Sequence, residues 1–237
     1  MEVINKQLNT SLVLAVDDSA SCVLLARALL EKLGYKCLTA TRFLDACELA
    51  SRYCPATALV DLVMPEGNGA LLSAELHKRC PGIKTFAVSG NYPVDLEGVE
   101  YACGRFSAGL AKPLSLTELS RLLGLRDQAA PQVSGLQSRL QSLPLQRRAS
   151  FVEALLLDLD EVATLMHKAQ TRTQVLHCVH RLGGIFSAAA ADETSITYAL
   201  ERKLKQGTDL DVEEINLLHA LIGALRTRLY ACEVNAG

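Results

Sequence analysis

Acidic, hydroxyl and amine side chains follow short apolar runs in the first half of the chain. Asp17 and Asp18 come directly after one run, Asp61 ends another, and Ser89 and Lys112 follow two more. If the runs are strands of one parallel sheet, these side chains meet at its carboxyl edge, where such folds bind ligands. Crowded carboxylates repel one another unless a hard cation such as Mg2+ lies among them. The pattern therefore predicts an acidic, cation-binding pocket.

In the second half of the chain, Gly183 and Gly184 follow His180 three and four residues later. On a helical wheel, Val179 and Leu182 fall on the core stripe, whereas His180 lies roughly 120° away from it. A glycine inside a helix costs about 1 kcal/mol relative to alanine, so Gly183 and Gly184 should serve a purpose. The pattern predicts a solvent-facing imidazole beside a surface without side chains, which a partner could approach closely.

Two different periodicities define the elements that would position these residues. Residues 11–125 alternate apolar runs with amphipathic stretches, which predicts five β-α units around a parallel sheet. Gly34 ends the first helix, and a capping box of Ser115 and Glu118 opens the last one. The predicted strands are Leu12–Val16, Lys36–Ala40, Ala56–Leu62, Thr85–Val88 and Ala108–Ala111. The predicted helices are Ser19–Leu33, Arg42–Tyr53, Ala70–Arg79, Asp95–Cys103 and Leu116–Leu123.

The remaining sequence is helical in pattern. Residues 126–145 have the Pro, Ser and Gln content of a linker, in which Val133–Leu143 could form a short helix. The long helical patterns that follow suit an antiparallel four-helix bundle. The fold class is therefore α/β plus all-α, with a doubly wound (βα)5 domain over residues 1–125 and a bundle over residues 146–237. The four predicted helices are Phe151–Lys168, Thr173–Ala191, Thr194–Gln206 and Val212–Cys232.

Charge, hydropathy and cysteine usage narrow the class of protein. A formal net charge of −2 does not favour binding to nucleic acid or to an anionic membrane. The longest apolar runs fall far short of the ~20 residues that span a bilayer, so we expect a cytoplasmic protein without membrane insertion. The eight cysteines form no C-x-x-C pair, and we expect them to be reduced thiols.

The pocket residues, together with the run D-L-V-M-P-E-G-N-G that starts at Asp61, resemble the response-regulator receiver family over residues 11–125. The resemblance implies that Asp61 accepts a phosphoryl group from a sensor histidine kinase. It also implies that Asp18, Asp61 and the backbone carbonyl of Val63 bind Mg2+ directly, and that Asp17 assists in binding it through water. Ser89 and Lys112 would contact the phosphoryl oxygens.

The sequence departs from the receiver family at one position. Receivers usually carry Tyr or Phe three residues before the lysine, as a rotameric switch on the output face, but this chain has Gly109 there. Phe106 could take that role only in a shifted alignment. The departure argues against a conventional phosphorylation-driven dimer switch and leaves the phosphotransfer chemistry unaffected.

Residues 146–233 resemble histidine phosphotransfer domains, whose H-x-L-K-G core corresponds to the segment that begins at His180. The resemblance implies that His180 carries phosphate and exchanges it with a receiver domain of another or a hybrid protein. It also implies a docking surface that consists of Arg181, Gly183 and Gly184. Gly183 replaces the usual lysine, whose positive charge Arg181 or Arg172 could supply. His177 is the best rival carrier.

The leading hypothesis is a two-component phosphorelay protein that shuttles a phosphoryl group through Asp61 and His180. A transcription regulator is disfavoured because residues 150–237 hold eight Lys and Arg against twelve Asp and Glu. A histidine kinase is disfavoured because the chain lacks a Gly-rich nucleotide-binding segment, so phosphorylation would be Mg2+-dependent self-phosphorylation from a phosphodonor. A receiver whose helical module binds a kinase or other partner, without phosphohistidine chemistry, stays open as the alternative.

Overall fold

The structure, a computed structural model, describes residues 12–65, 67–90, 106–125 and 133–234. The chain divides into two compact units, Met1–Pro131 and Gln132–Gly237. The helix predicted near Asp95–Cys103 lies outside the described residues.

A five-stranded parallel sheet in the order β2-β1-β3-β6-β7 forms the centre of the first unit. The strand order reverses between β1 and β3, and a reversal of this kind opens a crevice at the carboxyl ends of the strands. A two-stranded antiparallel hairpin, β4-β5, follows β3. The strands are β1 Leu12–Val16, β2 Lys36–Ala40, β3 Thr57–Asp61, β4 Val63–Met64, β5 Gly67–Asn68, β6 Lys84–Ser89 and β7 Ala108–Ala111.

Side-chain caps mark where three of the described helices of this unit begin. The side chain of Ser19 accepts a hydrogen bond from the Cys22 amide, and that of Asn68 accepts one from the Leu71 amide. Ser115 caps the last helix of the unit at the predicted position: its side chain accepts from the Glu118 amide, and its hydroxyl contacts the Glu118 carboxylate. The helices are α1 Ala20–Lys32, α2 Phe43–Tyr53, α3 Gly69–Arg79 and α4 Leu116–Leu122.

The core of the first unit lies between the sheet and its helices. Leu14 on β1, Val60 on β3 and Leu72 and Leu76 on α3 are fully buried in one cluster. Burying a leucine or valine side chain contributes about 1.5–3 kcal/mol to folding. This packing holds β1 and β3 rigidly, which matters because their ends carry the predicted pocket.

Two cysteines of the first unit are joined, contrary to the expectation of reduced thiols. Cys54 and Cys80 form a disulfide between the C-terminal ends of α2 and α3. The expectation was wrong for this pair because the fold brings together residues 26 positions apart, which sequence spacing alone does not reveal. The free cysteines among the described residues are Cys22, Cys37, Cys47, Cys178 and Cys232.

Every regular element described in the second unit is a helix. The helix α7 packs against α6 and α8, and α9 packs against α6. The short helix α5 lies within the segment that was predicted to be a linker. No helix of the described ranges is both long enough and apolar enough to cross a membrane. The helices are α5 Leu136–Ser142, α6 Leu145–Lys168, α7 Arg172–Ala188, α8 Thr194–Lys205 and α9 Val212–Val234.

Candidate functional site

The ends of four neighbouring strands bring the predicted pocket residues to one edge of the sheet. Asp17 follows β1 and Asp61 ends β3, and these two strands are hydrogen-bonded neighbours. Val88 on β6 lies opposite Asp61, and Ser89 is one residue further along. Lys112 follows β7, and its amide donates to the Ser89 carbonyl at 2.7 Å. The sheet therefore places all four side chains in the same crevice.

The ammonium group of Lys112 connects the two buried carboxylates of this crevice. Its Nζ lies 2.7 Å from Oδ2 of Asp17 and 2.9 Å from Oδ2 of Asp61, and Asp61 is 0% exposed. Burial opposes the charge of Lys112, but Asp17 and Asp61 raise its pKa well above the usual value. The hydrogen bonds of its ammonium group hold the two carboxylates side by side.

Backbone amides orient the same two carboxylates. The Ser19 amide donates to Oδ1 of Asp17 at 3.0 Å, and the Val63 amide donates to Oδ1 of Asp61 at 3.2 Å. Burial raises the pKa of Asp17, the attraction of Lys112 lowers it, and the nearby Asp61 charge raises it again. The net result is a raised pKa of Asp17, chiefly because the carboxylate is buried.

Asp18 completes a set of three carboxylates that suits a divalent cation. One carboxylate oxygen from each of Asp17, Asp18 and Asp61 lies within 4.8 Å of the others. Three carboxylates and one ammonium leave a net charge of about −2, and Mg2+ prefers hard oxygen ligands of this kind. The residues therefore fit Mg2+, whereas the part of the Val63 carbonyl in binding it stays a prediction.

Gly69 is a site residue to which sequence reasoning assigned no role. It is the first residue of α3, and its amide donates to the Leu62 carbonyl at 3.0 Å. A Cβ atom at this position would overlap the carbonyl oxygen of Asp61 and would lie 3.0 Å from Cα of Leu62. Only glycine lets α3 approach the backbone of Asp61 so closely. The run that starts at Asp61 contains this glycine, but its spacing alone does not indicate the contact.

The position of the usual aromatic switch is part of a strand. Gly109 lies in β7 opposite Ala87. Phe106 is buried in the hydrophobic core of the unit. In this arrangement Phe106 is a core residue, and the lack of a conventional aromatic switch stays a prediction.

His180 is buried, so the expectation of a solvent-facing imidazole is wrong. The residue is 3% exposed, and its Nδ1 lies 3.1 Å from Oε1 of the fully buried Glu201 on α8. Lys205 contacts the same carboxylate oxygen at 2.6 Å. Burial alone would raise the pKa of Glu201, but His180 and Lys205 lower it to about 2. The imidazole is therefore held in a charged interior cluster.

The three residues predicted to form a docking surface are also interior. Gly183 and Gly184 are buried, and a Cβ atom on Gly183 would lie 2.7 Å from Cε1 of Tyr198 on α8. Arg181 is buried and lies 2.9 Å from Glu161 and 3.7 Å from Asp158, both on α6. Arg181 and Gly183 thus face neighbouring helices, and none of the three buried residues forms the open surface that the helical wheel predicted.

We expect Gly183→Ala to lower the free energy of unfolding of the second unit by about 1–3 kcal/mol, because the added methyl group displaces the Tyr198 ring. Gly223→Ala is the matched control, since Gly223 lies within α9 and an added Cβ meets nothing within 4 Å. The control should raise stability by up to about 1 kcal/mol through helix propensity. Chemical denaturation of both variants tests this, and equal stabilisation by the two substitutions would contradict the packing role of Gly183.

Residues 13–123 match the response regulator receiver domain family. This match, together with the sheet order and the acidic crevice, identifies a receiver domain in the first unit. Receiver domains are typical of two-component signalling. No curated protein is significantly similar to the chain.

Several solved structures are similar to the same part of the chain. One is the chemotaxis protein CheY4 of Vibrio cholerae, with 22% identity, 48% of this chain and 96% of that chain covered, and a TM-score of 0.44. Another is the receiver domain of a sensor histidine kinase of Pseudomonas aeruginosa, described with magnesium in its active-site cleft, with 24% identity, 48% and 93% coverage and a TM-score of 0.43. A third is a receiver domain from Methylobacillus flagellatus, with 26% identity, 48% and 96% coverage and a TM-score of 0.43.

Proposed function

We propose that the first unit is a phosphorylation-dependent receiver in which Asp61 accepts a phosphoryl group from the phosphohistidine of a sensor histidine kinase. The observation that carries the proposal is the contact of Lys112 with both Asp17 and Asp61 in an acidic crevice. A lysine that merely neutralised a structural carboxylate would need one partner. A lysine held between two carboxylates stands where it can also contact the oxygens of an incoming phosphoryl group.

The proposed reaction transfers the phosphoryl group to a carboxylate oxygen of Asp61. The new bond joins that oxygen to phosphorus, the bond between phosphorus and the imidazole nitrogen breaks, and the electron pair stays on the imidazole. Lys112 attracts the phosphoryl oxygens, and the hydroxyl of Ser89 donates to one of them. Asp18 and Asp61, with Asp17 nearby, would hold Mg2+, which would supply positive charge where two anions come together. The catalysis is therefore positional and electrostatic.

The test is labelling of the full-length protein by a small-molecule phosphodonor such as acetyl phosphate. We expect label on the wild type in Mg2+, loss of label in EDTA, and no label on Asp61→Asn. Asp45→Asn is the matched control, because Asp45 is an exposed carboxylate in the first turn of α2. Equal labelling of Asp61→Asn and the wild type would contradict the proposal.

A second candidate function is carriage of phosphate by His180, as the resemblance to phosphotransfer domains implies. The observation that favours it is the contact between Nδ1 of His180 and the Glu201 carboxylate, which orients the imidazole ring. The burial of His180 opposes it, because the covering side chains must move before a receiver can reach the ring. The alternative, a helical module that binds a partner without phosphohistidine chemistry, requires no such movement.

Transfer from a separately phosphorylated receiver distinguishes these two functions. If His180 is the carrier, the full-length Asp61→Asn protein should gain label that is labile in acid and stable in base. Substitution of His180 by Ala in that background should remove the label, whereas His177→Ala, a change of the less buried neighbour, should keep most of it. Absence of any such label on a folded Asp61→Asn protein would favour the binding module.

A further inference from the structure

Cys54 and Cys80 occupy unusual places for a pair of cysteines. They are the C-terminal caps of adjacent helices, α2 and α3, and their Cα atoms are 5.2 Å apart. We propose that the bridge between them is a reversible thiol–disulfide switch that sets the stability of the first unit. The proposal is independent of the phosphoryl chemistry, because neither sulfur belongs to the acidic crevice.

The bridge closes a covalent ring of main chain that contains the strand with the proposed acceptor. The 26-residue separation between the two cysteines includes all of β3, which ends in Asp61, and all of α3, which begins at Gly69. Closing a ring of this size removes conformational freedom from the unfolded chain and so favours the folded state. Opening it would loosen the segment in which α3 supports the backbone of Asp61.

The backbone conformation at Cys54 is one that cysteine adopts at a cost in free energy. Cys54 has φ of 42°, in the left-handed region, and its amide donates to the Ala50 carbonyl at 2.9 Å. Helix C-termini with this conformation usually carry Gly or Asn, which adopt it at lower cost. A cysteine at this position is thus unfavourable for the backbone alone, and the bridge to Cys80 gives it a compensating role.

The difference in burial defines how the bridge is opened and closed. Cys80 is 2% exposed, whereas Cys54 is partly exposed, so in the proposed reaction a small thiol such as glutathione attacks at the sulfur of Cys54. Its thiolate attacks that sulfur, and Cys80 leaves as a thiolate that takes a proton. A second thiolate attacks the glutathione sulfur of the mixed disulfide, releasing Cys54 as a thiolate that is then protonated, together with glutathione disulfide. The protein gains two electrons and two protons, and oxidised glutathione reverses the reaction.

The experiment equilibrates the full-length protein in glutathione buffers of increasing reducing strength. Alkylation and intact mass count the free thiols, and peptide mapping identifies the bridged pair. We expect the reduced form to contain two more alkylated cysteines than the oxidised form, namely Cys54 and Cys80. The oxidised first unit should unfold at a temperature higher by on the order of 10 °C than the reduced one.

Two variants separate the bridge from general effects on stability. Cys54→Gly suits the left-handed backbone and should fold, and its unfolding temperature should not depend on the redox buffer. Cys47→Ala removes a buried free cysteine of α2 and should keep the full difference between oxidised and reduced forms. The proposal is overturned by an unchanged count of thiols across the buffers, by equal unfolding temperatures of the two forms, or by a bridge that maps to another pair.

Discussion

Lys112→Ala is expected to lower both the rate of Asp61 phosphorylation and the stability of the first unit. The substitution leaves the buried carboxylates of Asp17 and Asp61 without their shared ammonium partner. Removing one partner of a buried ion pair costs about 3–5 kcal/mol. Losing a positioned cation that stabilises developing charge lowers a rate by about 100-fold to 1000-fold.

The measurement combines phosphorylation kinetics with thermal unfolding in Mg2+ and in EDTA. Mg2+ should stabilise Lys112→Ala more than it stabilises the wild type. In the variant the cation neutralises the carboxylates of Asp17 and Asp61, which Lys112 neutralises in the wild type. Lys84→Ala is the matched control, since Lys84 is exposed at the amino end of β6 and should leave both quantities unchanged. A phosphorylation rate within twofold of the wild type would contradict the role given to Lys112.

Gly69→Ala is expected to slow phosphorylation by about 100-fold, because a displacement near 1 Å in a reacting group has an effect of that size. The added methyl group overlaps the carbonyl oxygen of Asp61, which is part of the main chain and cannot rotate away. Either β3 or the start of α3 must shift, and the acceptor carboxylate shifts with it. The expected loss is therefore in rate as well as in stability.

The control for Gly69→Ala is Ala70→Gly, which changes the next residue of α3 in the opposite direction. Ala70 is a buried residue of the same helix. This variant should lose about 1 kcal/mol of stability, because glycine loses more conformational entropy on folding than alanine does. Its phosphorylation rate, measured where both variants are folded, should stay within a few-fold of the wild type. If Gly69→Ala is slowed no more than Ala70→Gly, the close approach of α3 to Asp61 has no part in the chemistry.

The sheet and its acidic edge were predictable because local signals agreed with one another. The predicted strand Ala56–Leu62 is observed as Thr57–Asp61, and Asp61 lies at its end as expected. Apolar runs define strands, and polar residues at their ends define the crevice, so both follow from short stretches of sequence. The contacts of Lys112 then result from the order of the strands.

The helix that carries His180 was located correctly, but its exposed face was not. Helix α7 is buried continuously from Cys178 to Ala188, because neighbouring helices cover it on several sides. A helical wheel assigns a solvent face only to a helix with one buried side. Gly183 suggested an open surface, whereas it provides room for the Tyr198 ring.

Contacts between distant segments were the part that the sequence did not reveal. The Cys54–Cys80 bridge and the approach of Gly69 to Asp61 both depend on how α3 lies beside the sheet. No local periodicity encodes that placement, since it results from the packing of Leu72 and Leu76 into the core. Residues of this kind become visible only when the tertiary structure is known.

The most direct test of the central claim is to identify the residue that carries the phosphoryl group. The phosphorylated full-length protein is reduced with borohydride, which converts an aspartyl phosphate to homoserine, and its peptides are sequenced by mass spectrometry. The account predicts homoserine at position 61 in the Mg2+-treated wild type and at no other aspartate of the crevice. Homoserine at position 17 or 18, with Asp61 unmodified, would contradict it.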